Sequence, residues 1–524
     1  MTTAAYDPHT WGPQDRYLEL VARNVSTRYA AIVVEGVIGL LLLPFNVSHL
    51  GQAAYGLWAL TSSFLIYFSV FDLGYAGALV KFIAQYRAWR DRQALNEVLS
   101  TMFVLLVGVG LASFVVSGVV AWQFGRLFKV RPDQVGTARD VMLIVGAYIA
   151  IRFPASVFGS VVYGFQRFYL NNIISIISAV VVALVNLFVL VRGGDLVMLV
   201  LATTAVRVLT LGCSARVAFR VYPGLQIHPR LYRRERIREV AGFSVYVMVL
   251  DWSAKLNYST DALVIGALLS TSAVAVWAVG QRLAEVSQRL TIQFSTSLFP
   301  LVVASDAGQR PDRLRLLLVQ GTRVSLALAV PVCFGLGIMA DRVIRAWVGP
   351  NFGGSIIVTQ LLLAVVLVRV GLGSATALLK GGGGHRLLAW TNGITAIVNI
   401  VLSVLLIKPF GLVGVAVGTL APVTISAVFV LFPAACRRVG MRTPGVARQA
   451  VFPALWPVIA PLVILWICHP FVTKLHSIAA LLLVAGLAYE LLFFGVALDG
   501  AERRFYWTKL TELIGRRWRV AAAA

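Results

Sequence analysis

Val98-Leu-Ser-Thr-Met-Phe-Val-Leu-Leu-Val-Gly-Val-Gly-Leu-Ala-Ser-Phe-Val-Val-Ser-Gly-Val-Val120 runs for twenty-three residues without an ionisable side chain. About 20 mostly apolar residues cross the roughly 30 Å of hydrocarbon in a bilayer. Backbone groups in lipid must bond within their own segment, so such a stretch is a helix. Leu455 to Cys468 is another block of this kind. Of the 524 residues, 59% are hydrophobic and 13% charged, and the mean hydropathy is +0.83. Soluble chains average about 25% charged residues. One large soluble core does not explain half that fraction over this length. The sequence therefore reads as an all-α polytopic membrane protein.

Working outward from this block, the apolar pattern predicts fourteen helices. They lie near 25–46, 56–78, 98–123, 140–162, 171–192, 196–222, 241–269, 273–302, 318–340, 356–379, 390–408, 412–435, 451–471 and 477–498. The polar first 24 residues lack the apolar core of a signal peptide, so the first helix is expected to direct insertion. One set of loops is rich in Lys and Arg: around Lys81 to Arg92, Arg230 to Arg238, Arg310 to Arg315, Lys380 to Arg386 and Arg437 to Arg448. The tail adds Arg503, Arg504, Lys509, Arg516, Arg517 and Arg519. The opposite loops carry far fewer. By the positive-inside rule, both termini are expected in the cytoplasm, with the protein in a bacterial inner membrane. This bias absorbs much of the net charge of +24 without invoking nucleic acid.

The chain repeats itself at a spacing of about 220 residues. Leu50-Gly-Gln-Ala-Ala-Tyr-Gly-Leu-Trp58-Ala59 parallels Leu269-Ser-Thr-Ser-Ala-Val-Ala-Val-Trp277-Ala278. Gly164-Phe-Gln-Arg167 with Asn172 parallels Gly383-Gly-His-Arg386 with Asn392, and Gly194 lines up with Gly411. Six helices per period give both copies the same orientation, a known transporter plan. The expected organisation is a cytoplasmic segment (1–24), a six-helix lobe (25–222), a basic linker (223–240), a second lobe (241–435), two further helices (451–498) and a basic tail (499–524). The two parallel lobes are expected to surround a central cavity.

Ionisable residues within helices carry the functional signal, because a charge at mid-bilayer costs roughly 2.5–3.5 kcal/mol on insertion scales. The cations are Arg152, Arg207, Lys255, Arg282, Arg289 and Arg369, and the acids are Glu35, Asp72, Asp251, Asp261 and Glu285. Arg282, Glu285, Arg289 and Gln293 follow spacings that share one helical face. Structural pairing, as of Asp251 with Lys255 or Arg282 with Glu285, is the competing reading. Arg28 and Arg323 are assigned to helix ends, where long side chains snorkel. A cationic hydrated cavity suits an anion, since arginine offers a planar fork for phosphate oxygens. The acids are candidates for proton or cation coupling, with Asp72 equally suited to bracing a helix end near Lys81. Pro154, Pro300 and Pro331 are expected to distort their helices.

Cys213, Cys333, Cys436 and Cys468 show no metal-ligand spacing. The run Gly381 to Gly384 lacks the Gly-Lys-Ser/Thr ending of a P-loop. No cofactor, metal or enzymatic activity is expected.

Phe71-Asp72-Leu73-Gly74-Tyr75, leading through Phe82-Ile83-Ala84, resembles the end of the second helix in Wzx-type polysaccharide flippases. These belong to the multidrug/oligosaccharidyl-lipid/polysaccharide (MOP) exporter superfamily. Trp277-Ala-Val-Gly-Gln-Arg282-Leu283 looks like the opening of their eighth helix. Asn392 to Asn399, then Pro409-Phe-Gly-Leu-Val-Gly-Val-Ala416, looks like the hairpin of their eleventh and twelfth helices. The resemblance covers residues 25–435 in order. It implies two six-helix lobes about a cationic lumen and outward flipping of a polyprenyl-diphosphate-linked oligosaccharide. It matches Asp72 to the aspartate of the family's Asp-Leu-Gly motif, but fixes none of the lumen arginines. Expected partners are the lipid-linked oligosaccharide, membrane lipid, and polysaccharide polymerase and export components. A drug exporter of the same superfamily and a membrane enzyme of glycan assembly are the alternatives.

Overall fold

The computed structural model describes residues 14–68, 75–240, 260–498, 500 and 503–504. Among the described residues there is no strand. The helices are α1 (Gln14–Phe68), α2 (Tyr75–Trp89), α3 (Arg92–Trp122), α4 (Phe124–Leu127), α5 (Val135–Gly164), α6 (Phe168–Val191), α7 (Leu196–Val221) and α8 (260–268). They continue with α9 (Thr271–Ala307), α10 (Pro311–Ile338), α11 (Ala340–Val348), α12 (Ser355–Gly371) and α13 (Gly373–Gly381). Three more complete the set: α14 (His385–Arg438), α15 (Thr443–Phe471) and α16 (Leu475–Ala497).

Nine of these, among the described residues, are long and apolar enough to cross a membrane. Two of the nine are double. A straight helix of 55 residues would be about 80 Å long at 1.5 Å per residue, far more than a bilayer spans. α1 breaks instead at Gly51 (φ 76°, ψ 165°) and α14 at Gly411 (φ 58°, ψ −136°). Only glycine adopts such backbone angles cheaply, so each break marks a hairpin between two spans. α12 and α13 form one span bent by 41°. α9 is 37 residues long but carries Arg282, Glu285 and Arg289. The arrangement is consistent with the expected fourteen, of which the helix at 241–269 lies largely outside the described residues.

The helices extend further than the apolar blocks do. α3 starts at Arg92 rather than 98, α9 ends at Ala307 rather than 302, and α10 starts at Pro311 rather than 318. Hydropathy stops at the first charges, but the backbone continues to the next cap. Asp91 caps α3 by accepting from the Ala94 N–H at 2.9 Å. Pro311 opens α10 at the first helical position, where its missing donor costs nothing. The predicted basic loop at Lys81 to Arg92 is mostly the helix α2, with a tight turn at Arg90 (φ 59°).

The chain forms two compact units, residues 1–278 and 279–524, with the boundary inside α9. In the first unit, small residues let helices approach closely. A Cβ on Gly110 would stand 2.5 Å from the Ala150 carbonyl oxygen, and one on Gly146 would stand 2.5 Å from Ser117 Cβ. In the second unit, Gly321 faces Ser374 and Leu298, and Gly373 faces Ser295. Buried Ser295 and Ser325 share a hydrogen bond of 2.8 Å. α15 and α16 are joined through the buried Tyr489 hydroxyl, which donates to the Ala454 carbonyl at 2.6 Å. They pack on α10 through a core of Leu326, Val330, Ala454, Val458, Tyr489 and Phe493. Leu41, Val115, Trp122, Leu209, Trp390, Phe429, Trp466 and Leu491 are exposed, the kind of apolar surface that lipid contact requires.

Similar backbone devices recur at offsets of 217 to 219 residues, which sets Gly383 opposite Gln166 rather than Gly164, and Gly411 opposite Gly193 rather than Gly194. Positive φ at Arg90 is matched at Gln309, at Gln166 by Gly383, and at Gly193 by Gly411. A short 3-10 turn beginning at Pro132 is likewise matched by one beginning at Pro350. The end of each unit bearing the turns at Arg90 and Gln166, or at Gln309 and Gly383, is its basic end.

Candidate functional site

The first unit holds a cavity of about 240 Å³. Its lining includes Glu35 and Trp58 from the two halves of α1, Tyr148 from α5, Asn186 from α6, and Thr203 and Arg207 from α7. Register explains the convergence. Asp195 caps α7 by accepting from the Met198 N–H at 2.8 Å, and Thr203 and Arg207, four apart, then share a face. On α5, Val145 and Tyr148 line the cavity, and Arg152 lies one turn beyond Tyr148 on the same stripe. Arg207 lies about 21 Å along its helix from the basic end at 1.5 Å per residue, near the middle of α7. Asn186 is 1% exposed, and its Oδ1 has no hydrogen-bond partner among the described residues. An unmatched buried acceptor beside a polar cavity marks a place for a donor. Sequence had singled out Glu35 and Arg207 for different roles, whereas the structure brings them to one cavity.

In the second unit the cations are spread along α9, α10 and α12. Arg282 pairs with Glu285 at 3.6 Å, and Glu285 also accepts from Gln281 at 2.9 Å. This is the local pairing that sequence offered as the competing reading. Arg289 is exposed. Arg369 is half-buried and about 18 Å from the end of α13. Arg323 was assigned to a helix end and is not there. It is the thirteenth residue of α10, about 18 Å from its start. Pro311 was the signal that could have placed the helix start correctly. Asp261 is buried at 6% exposure in α8, next to Thr260, which accepts from the Tyr67 hydroxyl at 2.6 Å. Asp72, Asp251 and Lys255 lie outside the described residues.

A second polar cluster, missed by sequence, sits at the basic end of the first unit. Glu97, 8% exposed, pairs with Arg236 at 3.1 Å and Arg233 at 3.8 Å. Arg236 also reaches Glu239 at 3.0 Å. The Tyr86 hydroxyl donates to Glu239 at 2.6 Å. Burial, and then this bond to a carboxylate, push the Tyr86 phenol up to about 12, so it stays a donor at any physiological pH. The linker is fastened alongside. Asn96 donates to the Gly224 carbonyl at 2.9 Å and accepts from the Gln226 N–H at 3.1 Å. Ser100 and Thr101 accept from the N–H groups of His228 and Arg233. In the second unit Arg315 does the equivalent, donating to the Val439 carbonyl at 2.8 Å.

The family described as "Polysaccharide biosynthesis protein" matches residues 21–305. The "Probable flippase AglR" of Haloferax volcanii is 23% identical over 418 residues, which is 78% of this chain and 82% of that protein. Among solved structures, the lipid II flippase MurJ in an inward closed conformation superposes with a TM-score of 0.70 at 13% identity, covering 90% of this chain and 98% of that one. An inward-facing multidrug resistance MATE transporter of the MOP superfamily superposes with a TM-score of 0.63 at 13% identity, covering 79% of this chain and 96% of that one. At these identities the structural likenesses establish the fold.

Proposed function

We infer the function from one premise: the chain belongs to the polysaccharide biosynthesis protein family. It flips a polyprenyl-diphosphate-linked oligosaccharide from the cytoplasmic to the outer leaflet of the inner membrane, by alternating access. The observation that supports this reading is that long apolar helices of both units carry arginines well inside their length: Arg152 and Arg207 in the first, Arg369 in the second. A flippase-named relative spanning most of the chain supports it, as does a fold shared with a lipid flippase.

The chemistry follows from the charges. A sugar diphosphate head cannot cross hydrocarbon bare, and guanidinium groups replace its water with charge-assisted hydrogen bonds. A cytoplasm-negative potential then favours outward movement by about 2.3 kcal/mol per charge per 100 mV. Glu35, in the same cavity as Arg207, is the foremost coupling candidate, with Asp72, Asp251, Asp261 and Glu285 behind it. Arg282, Arg289 and Lys255 are further contacts along the path. Both termini lie in the cytoplasm, and the lobes run over 25–222 and 241–435, joined by the basic linker. Polymerase and export components receive the product.

The test is surface-glycan export in a host lacking its own copy of the gene. The variant combining Arg152→Ala, Arg207→Ala and Arg369→Ala should reach the membrane at normal abundance and export no glycan. Undiminished export by that variant overturns the reading.

A further inference from the structure

Two of the arginines occupy one position of the repeat. Gly164 ends α5 against Ile83, where a Cβ would stand 2.4 Å from the Ile83 Cγ2. Gly381 ends α13 against Val302, where a Cβ would stand 2.9 Å from the Val302 Cγ1. The offset from Gly164 to Gly381 equals that from Gln166 to Gly383, the turn residues just beyond them. The offset from Ile83 to Val302 equals that from Arg90 to Gln309, the turn residues that follow these two. The register of the two helices is thus pinned at one end by matching contacts and matching turns. In that register Arg152 falls on Arg369, each twelve residues before its glycine.

The surroundings match as well. Arg369 stands two residues before the end of α12, and Arg152 two residues before Pro154 inside an unbroken α5. Pro154 has no N–H to offer the Ala150 carbonyl. Gly371 is where α12 ends and the 41° bend into α13 begins. The neighbours Ile151, Phe153, Val368 and Val370 are apolar. Packing does not ask for arginine here, since Arg152 is exposed and Arg369 half-buried. An intramembrane arginine is costly, so its appearance at the same register in both copies calls for a shared purpose.

We propose that Arg152 and Arg369 are one diphosphate-contact position used twice, once in each unit, twelve residues before the glycine that ends each span. The inference rests on the flippase reading and goes further, by singling these two out as equivalents among the cations. Each unit thereby offers the same headgroup chemistry at the same depth along its helix.

The experiment measures binding of geranylgeranyl diphosphate, with geranylgeranyl monophosphate as control, to the full chain in nanodiscs. Arg152→Ala and Arg369→Ala should each weaken diphosphate binding about tenfold and to within about threefold of one another, the loss of one charge-assisted contact. Arg152→Lys and Arg369→Lys should recover only part of it, because an ammonium lacks the planar fork. Arg313→Ala, removing an exposed charge at the start of α10, should change affinity less than about twofold. A tenfold loss at one position with less than a twofold loss at the other overturns the equivalence and leaves the flippase reading standing. Equal binding of diphosphate and monophosphate by the unaltered protein removes both.

Discussion

The cavity of the first unit, about 240 Å³, is lined by Glu35, Tyr148, Asn186 and Arg207, while one in the second unit, about 250 Å³, is lined by Cys333, Phe334, Leu363 and Leu367. Its single amide, Gln360, is spent on the Gly337 carbonyl at 2.9 Å. The two cavities do not share one place in the repeat: the second lies between α10 and α12, the counterparts of α3 and α5, and its lining is apolar. At the α5 register Tyr148 falls on Val365, a buried aliphatic residue. The counterpart of Glu35 falls within 241–259, outside the described residues. The frame is set by turns and glycine contacts, which both copies keep. What is shared, the arginine twelve residues before the glycine that ends each span, belongs to a task both units perform. The cavity of Glu35 and Arg207 is polar where the described cavity of the second unit is apolar.

The largest effect should come from that asymmetry. Replacing Glu35 and Arg207 together with glutamine should cut flipping of a fluorescent lipid-linked diphosphate in proteoliposomes by roughly a hundredfold, the worth of one to two charge-assisted contacts. Gln360→Leu in the second cavity should change it less than about twofold. Similar losses from both would dissolve that asymmetry.

The attachments of Glu97 and Arg315 differ in the same sense. Glu97 is buried beneath Arg233 and Arg236, with side-chain exposures of 10%, 52% and 25%. Glu97→Ala strands a partly buried guanidinium and should lower stability by about 2–3 kcal/mol, less than a fully buried pair because Arg233 is half in water. Arg315, 46% exposed, should cost under about 1 kcal/mol on truncation, its bond to Val439 being replaceable by water. Thermal unfolding of the detergent-solubilised protein compares them, and equal losses would mean the second attachment is buried as effectively as the first.

How far sequence reached depends on what each feature is made of. The spans were legible because a run of twenty apolar residues suits little besides a bilayer, and the repeat because tryptophan and glycine recur in order. Glu35 and Arg207 were legible singly, as charges where charges are expensive. Their convergence was not, since it depends on the rotation of α1 and α7 about their axes. Glu97 and Asn96 were invisible because they begin a helix among other polar residues, where a capping role and a buried one look alike. Arg323 was misplaced because hydropathy ends at Arg315 while the helix begins at Pro311.

The smallest effect concerns the glycines that pin the register. Alanine is worth up to about 1 kcal/mol over glycine inside a helix, so propensity alone predicts that Gly164→Ala and Gly381→Ala both stabilise. Contact predicts the reverse, and unequally. At Gly164 the new Cβ would meet Ile83 Cγ2 at 2.4 Å and Ile83 Cβ at 2.7 Å, next to the backbone of a fully buried residue that cannot swing aside. At Gly381 it would meet the methyl of Val302 at 2.9 Å, a contact that a small shift relieves. Overpacking costs roughly 1–3 kcal/mol, so Gly164→Ala should destabilise by about 1–2 kcal/mol while Gly381→Ala stays near neutral. Adding Ile83→Ala to Gly164→Ala should destabilise less than the two single changes summed, because the clash and the cavity share the same atoms. Additive losses would show that the helices are not held at this contact, and with it the register that equates Arg152 with Arg369 would lose its anchor.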